Sequence, residues 1–191
     1  MHILAILGSL RRGSYNRMTY NAVRELLPPG VTIEEADIFD IPPYNDDVRV
    51  EQGYPPAARR LREQIATANA VLFISPEYNY SVPGFLKNAI DWASRAPDQP
   101  FKGKPVGIMG ASTGLVGTVR MQLALRQTLL FLEALPVGRP EVLITFAEQK
   151  FDAGGRLADE RTRKVVGAGL DALVAWARRL QGEAPPGAPP G

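Results

Sequence analysis

Ala70-Val71-Leu72-Phe73-Ile74-Ser75-Pro76-Glu77-Tyr78-Asn79-Tyr80-Ser81-Val82-Pro83-Gly84 passes without a break from a purely apolar run into a polar one closed by prolines. A half-exposed strand alternates apolar and polar residues, whereas Ala70 to Ile74 does not, so it reads as a strand covered on both faces. The residues from Ser75 to Gly84 then form a loop, and a helix follows from about Pro83 to Arg95, with proline acceptable in its first turn. A strand buried on both faces asks for parallel neighbours and for helices above and below.

Those elements are found on either side. Ile3 to Leu7 is a second continuous apolar strand, ending at Gly8. The following helix is capped by Ser14 or Asn16 and runs to about Leu27, where Pro28-Pro29-Gly30 stops it. Val31 to Ala36 alternates as a strand, and residues 40 to 56, rich in Pro and Gly, read as a long irregular connection. A helix from about Pro55 to Ala68 places Ala58, Leu61, Ile65 and Ala68 at helical spacing. Beyond the opening stretch, Pro105 to Gly110 is a strand, Ala111 to Gly117 a loop, Thr118 to Ala134 a helix, Val142 to Phe146 a strand and Leu157 to Leu180 the last helix. Five strands alternating with five helices define an α/β sandwich around a parallel sheet. One domain is expected over residues 1–181, with the Pro/Gly-rich tail of residues 182–191 disordered.

Composition narrows the chemistry. There is no Cys, which removes disulfides, thiolate catalysis and Cys-based metal sites, and the single His2 supports neither a His metal cluster nor a catalytic triad. Basic and acidic residues nearly balance, 22 against 20, with no run of five like charges, so no nucleic-acid partner is expected. No apolar stretch reaches membrane-spanning length and Ile3 to Leu7 is too short for a signal peptide, so the expected location is cytoplasmic.

In doubly wound sheets ligands bind at the carboxyl ends of the strands, where the chain reverses direction. Three loops fall on that edge. The first, Gly8-Ser9-Leu10-Arg11-Arg12-Gly13-Ser14-Tyr15-Asn16, combines hydroxyls, a cation and backbone N–H groups at a helix start. Oriented amides and the helix dipole attract a phosphate dianion, and Arg can hold two of its oxygens; a capped turn with solvated arginines is the other reading. In the second, Ser75 to Gly84, two prolines stiffen a backbone that can face the heteroatom edge of a planar ring, or simply pack as a turn with Glu77 as a cap. In the third, Ala111 to Gly117, glycines let the backbone approach a flat ligand.

Gly8-Ser9-Leu10-Arg11 with Ser14 and Asn16, then Pro76-Glu77-Tyr78-Asn79-Tyr80-Ser81 with Pro83-Gly84, and Leu86-Lys87-Asn88-Ala89-Ile90-Asp91-Trp92, resemble the NADPH-dependent FMN reductase family, which includes bacterial quinone, chromate and azo-dye reductases. The resemblance covers roughly residues 1–180. It implies a flavodoxin-like three-layer sandwich with strand order 2-1-3-4-5 and helices on both faces, noncovalent FMN, and NADPH or NADH as cosubstrate. It also implies that Ser9, Arg11, Ser14 and Asn16, with the backbone of Tyr15, hold the FMN phosphate. On the same resemblance Pro76, Glu77, Tyr78 and Asn79 border the isoalloxazine and ribityl groups, and Ser112, Thr113 and Gly114 lie against the pyrimidine side. The third loop departs from the family's commoner glycine-rich version. No obligatory acid or base is implied, since the hydride chemistry is the flavin's.

Two other readings compete. A flavodoxin-type electron carrier shares the fold, but such carriers are usually strongly acidic and lack an Arg at the position of Arg11. A flavin-free α/β domain used for protein contacts is the second. Members of the family are usually homodimers or homotetramers, which is the assembly expected here. Trp92, Met121, Leu125, Leu129 and Leu132 then lie either at the subunit boundary or in their own core, and Arg120, Arg126 and Glu133 are either interface charges or solvated.

Overall fold

In a computed structural model, residues 1–182 are described; the expected tail beyond Gly182 lies outside them. Six strands and six α-helices follow one another as β1 (His2–Leu7), α1 (Tyr15–Glu25), β2 (Thr32–Glu35), α2 (Asp46–Gln52), α3 (Pro56–Thr67), β3 (Ala70–Ile74), α4 (Gly84–Ala93), β4 (Pro105–Ala111), α5 (Val119–Phe131), β5 (Leu135–Pro136), β6 (Val142–Ile144) and α6 (Glu160–Leu180). All strand pairings are parallel, in the order β2-β1-β3-β4-β5, with β6 also on β4.

Side-chain alternation along the strands divides the core between the two faces of the sheet. Leu4, Ile6, Val71, Phe73, Val106 and Ile108 pack with residues of α3, α4 and α5. Ile3, Ala5, Leu7, Leu72, Ile74 and Met109 pack with α1 and α6. This is the expected flavodoxin-like arrangement. Among the described residues no helix is long and apolar enough to cross a membrane.

Several sequence expectations are corrected. The connection of residues 40–56 is not wholly irregular, because Asn45 accepts a hydrogen bond from the Asp47 N–H and starts α2, whose first-turn acids complement the helix dipole. The expected fifth strand, Val142 to Phe146, is β6, which pairs with the end of β4, and an additional two-residue strand, β5, pairs with its start, so among the described residues the sheet has six strands rather than five. β6 stops at Ile144, and Phe146 turns into the left-handed region at φ 47°. Helix α5 ends at Phe131, and α6 begins at Glu160 because Asp159 caps it.

Trp92 is fully buried in its own chain, with its indole N–H donating to the Pro42 carbonyl at 2.8 Å and Tyr44 edge-on at 5.0 Å. Met121, Leu125, Leu129 and Leu132 are likewise core. Arg126 donates to the Val137 carbonyl, and Glu133 pairs with Lys102.

Candidate functional site

The hydrogen-bond ladder continues past the strand ends and aligns all three loops. Gly8 N–H donates to the Ile74 carbonyl, Ser75 N–H to Met109 and Ser112 N–H to Ile144, at 2.9, 3.1 and 3.0 Å. Only glycine fits at two of the junctions. A Cβ on Gly8 would lie 2.0 Å from Ser75 Oγ, and one on Gly110 would lie 2.1 Å from Thr118 Oγ1 and 2.5 Å from the Ser75 carbonyl oxygen.

In the first loop Ser14, not Asn16, is the helix cap: its hydroxyl accepts the Asn16 N–H at 3.2 Å. The Asn16 side chain reaches across to β4, donating to the Ala111 carbonyl and accepting the Ala111 N–H, both at 2.9 Å. It is buried, so this pair of bonds fastens α1 to the base of the third loop. The Tyr15 N–H has no partner among the described residues, as expected of the first turn of a helix. That turn contains no acidic residue. Ser9 is buried beside it, with its Oγ accepting the Arg11 N–H at 3.4 Å. The Arg11 side chain is exposed and makes no ion pair among the described residues.

The second loop is closed by a tight turn. Tyr78 and Ser81 exchange N–H···O bonds of 3.1 and 3.0 Å, while Asn79 (φ 49°) and Tyr80 (φ 66°) occupy the left-handed region. Two consecutive residues at positive φ are what a primed hairpin turn requires, and Tyr is an unfavourable choice there, so the surrounding contacts must hold it. One such contact is Arg120, whose guanidinium lies 3.8 Å from the centre of the Tyr80 ring. Glu77 supplies another. Its nearly buried carboxylate accepts the Arg120 and Met121 N–H groups at 2.9 and 3.1 Å and the Arg120 guanidinium at 3.2 Å. Thr118 gives α5 no side-chain cap, so Glu77 caps this helix from another loop.

In the third loop Ser112 Oγ donates to the Gly117 carbonyl at 2.8 Å and accepts the Gly114 N–H at 3.2 Å, while Thr113 and Gly114 face solvent.

Together the loops enclose a cleft of about 490 Å³, a size suited to a mononucleotide-sized ligand. Ser9, Arg11, Ser14, Tyr15 and Asn16 line one part, and Pro76, Glu77, Tyr78, Ser112 and Thr113 the other. Asn79 and Gly114, also named from the sequence, stand outside this lining. Gly13 and Ala111 line the cleft without having been named, and Arg120, read from the sequence as either an interface charge or a solvated one, braces the second loop. Nothing local announces the role of Arg120, since its partner Glu77 is 43 residues away.

A doubly wound sheet with an acid-free helix start facing one end of a loop-lined cleft defines a flavodoxin-like mononucleotide-binding protein. Comparison with known proteins agrees and goes further. The profile of the NADPH-dependent FMN reductase family matches residues 1–149, and the chain belongs to that family of oxidoreductases. It is 56% identical to an NAD(P)H-dependent FMN reductase of Pseudomonas aeruginosa, over 94% of this chain and 97% of the relative. It is 41% identical to a quinone reductase of Escherichia coli, over 95% of this chain and 97% of the other. Among solved structures it is similar to FerB, a flavoenzyme NAD(P)H:(acceptor) oxidoreductase of Paracoccus denitrificans, with TM-score 0.85 and 35% identity over 93% of this chain and 97% of that one.

Proposed function

We propose that the cleft holds FMN noncovalently and that the protein uses it to oxidise NADPH or NADH and reduce small acceptors, quinones first among them. The observation that carries this reading is the unpartnered Tyr15 N–H at an acid-free helix start, with Ser9 and Arg11 beside it, at one end of the cleft. That donor set fits a terminal phosphate: a neutral ligand has no use for the helix dipole and the guanidinium together. The other end fits a flat ring, because the loop at Pro76 to Tyr78 is stiffened by prolines, by the turn at Asn79-Tyr80 and by the Glu77 cap. The names of the relatives, FMN reductase and quinone reductase, support the same assignment.

Bound in this cleft, FMN would accept hydride from a reduced nicotinamide and pass reducing equivalents to the acceptor. The chain's own contribution is positional. Ser9, Arg11, Ser14 and the Tyr15 N–H anchor the phosphate, and Asn16 keeps that anchor in register with the third loop. The backbone of Pro76 to Tyr78 and of Ser112-Thr113 borders the ring, and no side chain is required to move a proton. An open face above the ring also admits chromate and azo dyes as acceptors. Leu123, Leu130 and Phe131 on the outer side of α5 are exposed and apolar, which supports a homodimer or homotetramer.

Initial rates over a grid of NADPH and quinone concentrations test the reading. Parallel double-reciprocal lines are expected, since both substrates must use one face of the ring in turn. Acid precipitation should release FMN into the supernatant. A colourless protein that takes up no added FMN would overturn the proposal, and a yellow one without NAD(P)H turnover would mark an electron carrier instead.

A further inference from the structure

A second cleft, of about 460 Å³, opens between the ends of β1 and β2. Arg11, Arg12 and Arg17 line it from the first loop and α1; Glu35, Asp37 and Phe39 line it from the end of β2 and the chain beyond. Ser9 and Arg11 belong to both clefts, so the two spaces meet at Arg11.

The charges are arranged unevenly. Arg17 grips both oxygens of Glu35 through its two terminal nitrogens, which neutralises the acid at the end of β2. Arg11 and Arg12 are exposed and make no ion pair among the described residues. Three arginines against two carboxylates leave the lining positive. Asp37 is exposed, and one of its carboxylate oxygens accepts the Phe39 N–H at 3.1 Å. The turn this bond closes leaves Phe39 67% exposed on the opposite wall. An exposed aromatic face opposite unpaired guanidinium groups offers a purine both a stacking surface and a partner for its phosphate.

We infer that this cleft receives the adenosine 2′,5′-bisphosphate half of NADPH, with Arg12 on the 2′-phosphate and Phe39 against the adenine. The inference rests on the proposed function, because it needs the nicotinamide half to lie over the ring in the neighbouring cleft, on the far side of Arg11. It adds a preference: Arg17 already holds Glu35, one oxygen of Asp37 is taken by the Phe39 N–H, and the excess of arginines in the lining, Arg12 first, favours a 2′-phosphate there over the 2′-hydroxyl of NADH.

The test uses the FMN-loaded protein and two probes that need no turnover, adenosine 2′,5′-bisphosphate and adenosine 5′-monophosphate, titrated by calorimetry. The bisphosphate should bind roughly tenfold or more tightly than the monophosphate, the effect of one charge-assisted phosphate contact. Arg12→Ala should abolish that gap and raise KM for NADPH by roughly tenfold, with kcat and the KM for NADH unchanged. FMN retention, read from the visible spectrum, should not change, since Arg12 is absent from the first cleft's lining. Phe39→Ala, placed outside the phosphate loop, should weaken both probes several-fold, and it decides the matter if Arg12→Ala disturbs the loop. Equal affinity for the two probes, or a parallel rise in KM for NADPH and NADH in Arg12→Ala, would overturn the inference. Failure to bind FMN would instead refute the proposed function, while the titrations would still report on the second cleft.

Discussion

Replacing Glu77 by Ala separates a residue that touches the ligand from one that shapes the loop around it. Its carboxylate accepts two backbone N–H groups at the start of α5 and one guanidinium. Hydrogen bonds to charged groups contribute about 1.5–3 kcal/mol each, but they share one acceptor group and do not add fully. The Arg120 side chain is 39% exposed, so its share is screened and small. The two amide bonds dominate, supported by about 0.3–1 kcal/mol from an anion at a helix N-terminus. A loss of about 2–4 kcal/mol follows, because α5 has no cap of its own to substitute. For a chain of this size each kcal/mol lowers the midpoint by about 2–4 °C, so the apo protein should melt roughly 4–16 °C lower. Glu77→Gln, which keeps an acceptor but not the charge, should lose about half as much. Thermal unfolding of the apo protein by circular dichroism measures the first effect, and fluorescence titration with FMN measures the second. A large drop in melting temperature and a several-fold drop in FMN affinity are expected. An unchanged apo melting curve with a hundredfold loss of FMN would refute this role, showing that the carboxylate binds the ligand directly.

Arg11→Ala removes one charge-assisted contact of about 1.5–3 kcal/mol and should weaken FMN roughly ten- to hundredfold while leaving riboflavin binding nearly unchanged. Equal losses for the two flavins, measured by fluorescence titration, would assign Arg11 to loop structure. Asp159 accepts from the Thr162 hydroxyl and N–H and pairs with Lys150, and these contacts, the Thr162 hydroxyl first, hold its carboxyl below the usual range. The stabilisation is present above the unfolded-state value and is lost as pH falls through the lower folded-state value. Urea unfolding midpoints followed from about pH 6 to about pH 2 should therefore decline less steeply in Asp159→Asn than in the parent protein, and parallel declines would contradict the assignment.

The long apolar strands β1, β3 and β4 are legible in sequence because burial on both faces writes itself as an uninterrupted apolar run. β5 is not, since Leu135-Pro136 carries no pattern of its own and becomes a strand only by pairing with Pro105 and Val106. α2 is hidden for a different reason: Pro43 and Gly53 flank it closely, and their signal outweighs the Asn45 cap. The site divides in the same way. The proposed phosphate end is readable because the candidate donors lie on one continuous loop, from Ser9 to Asn16. The support of the proposed ring end is not, because the bonds from Glu77 to Arg120 and from Asn16 to Ala111 join residues 43 and 95 positions apart.

The amide of Asn16 offers Ala111 the donor and acceptor that a neighbouring strand would offer, so a helix is stitched into the sheet as though it were another ladder rung. An anchor built this way cannot shift without opening two buried hydrogen bonds, so its geometry does not depend on what occupies the far end of the cleft. Accommodation is left to the rim, where Thr113 to Val116, Tyr78 and Tyr80 are exposed. A catalyst with a fixed grip and a yielding mouth can broaden its choice of acceptor by rim substitutions alone, without renegotiating how it keeps its coenzyme.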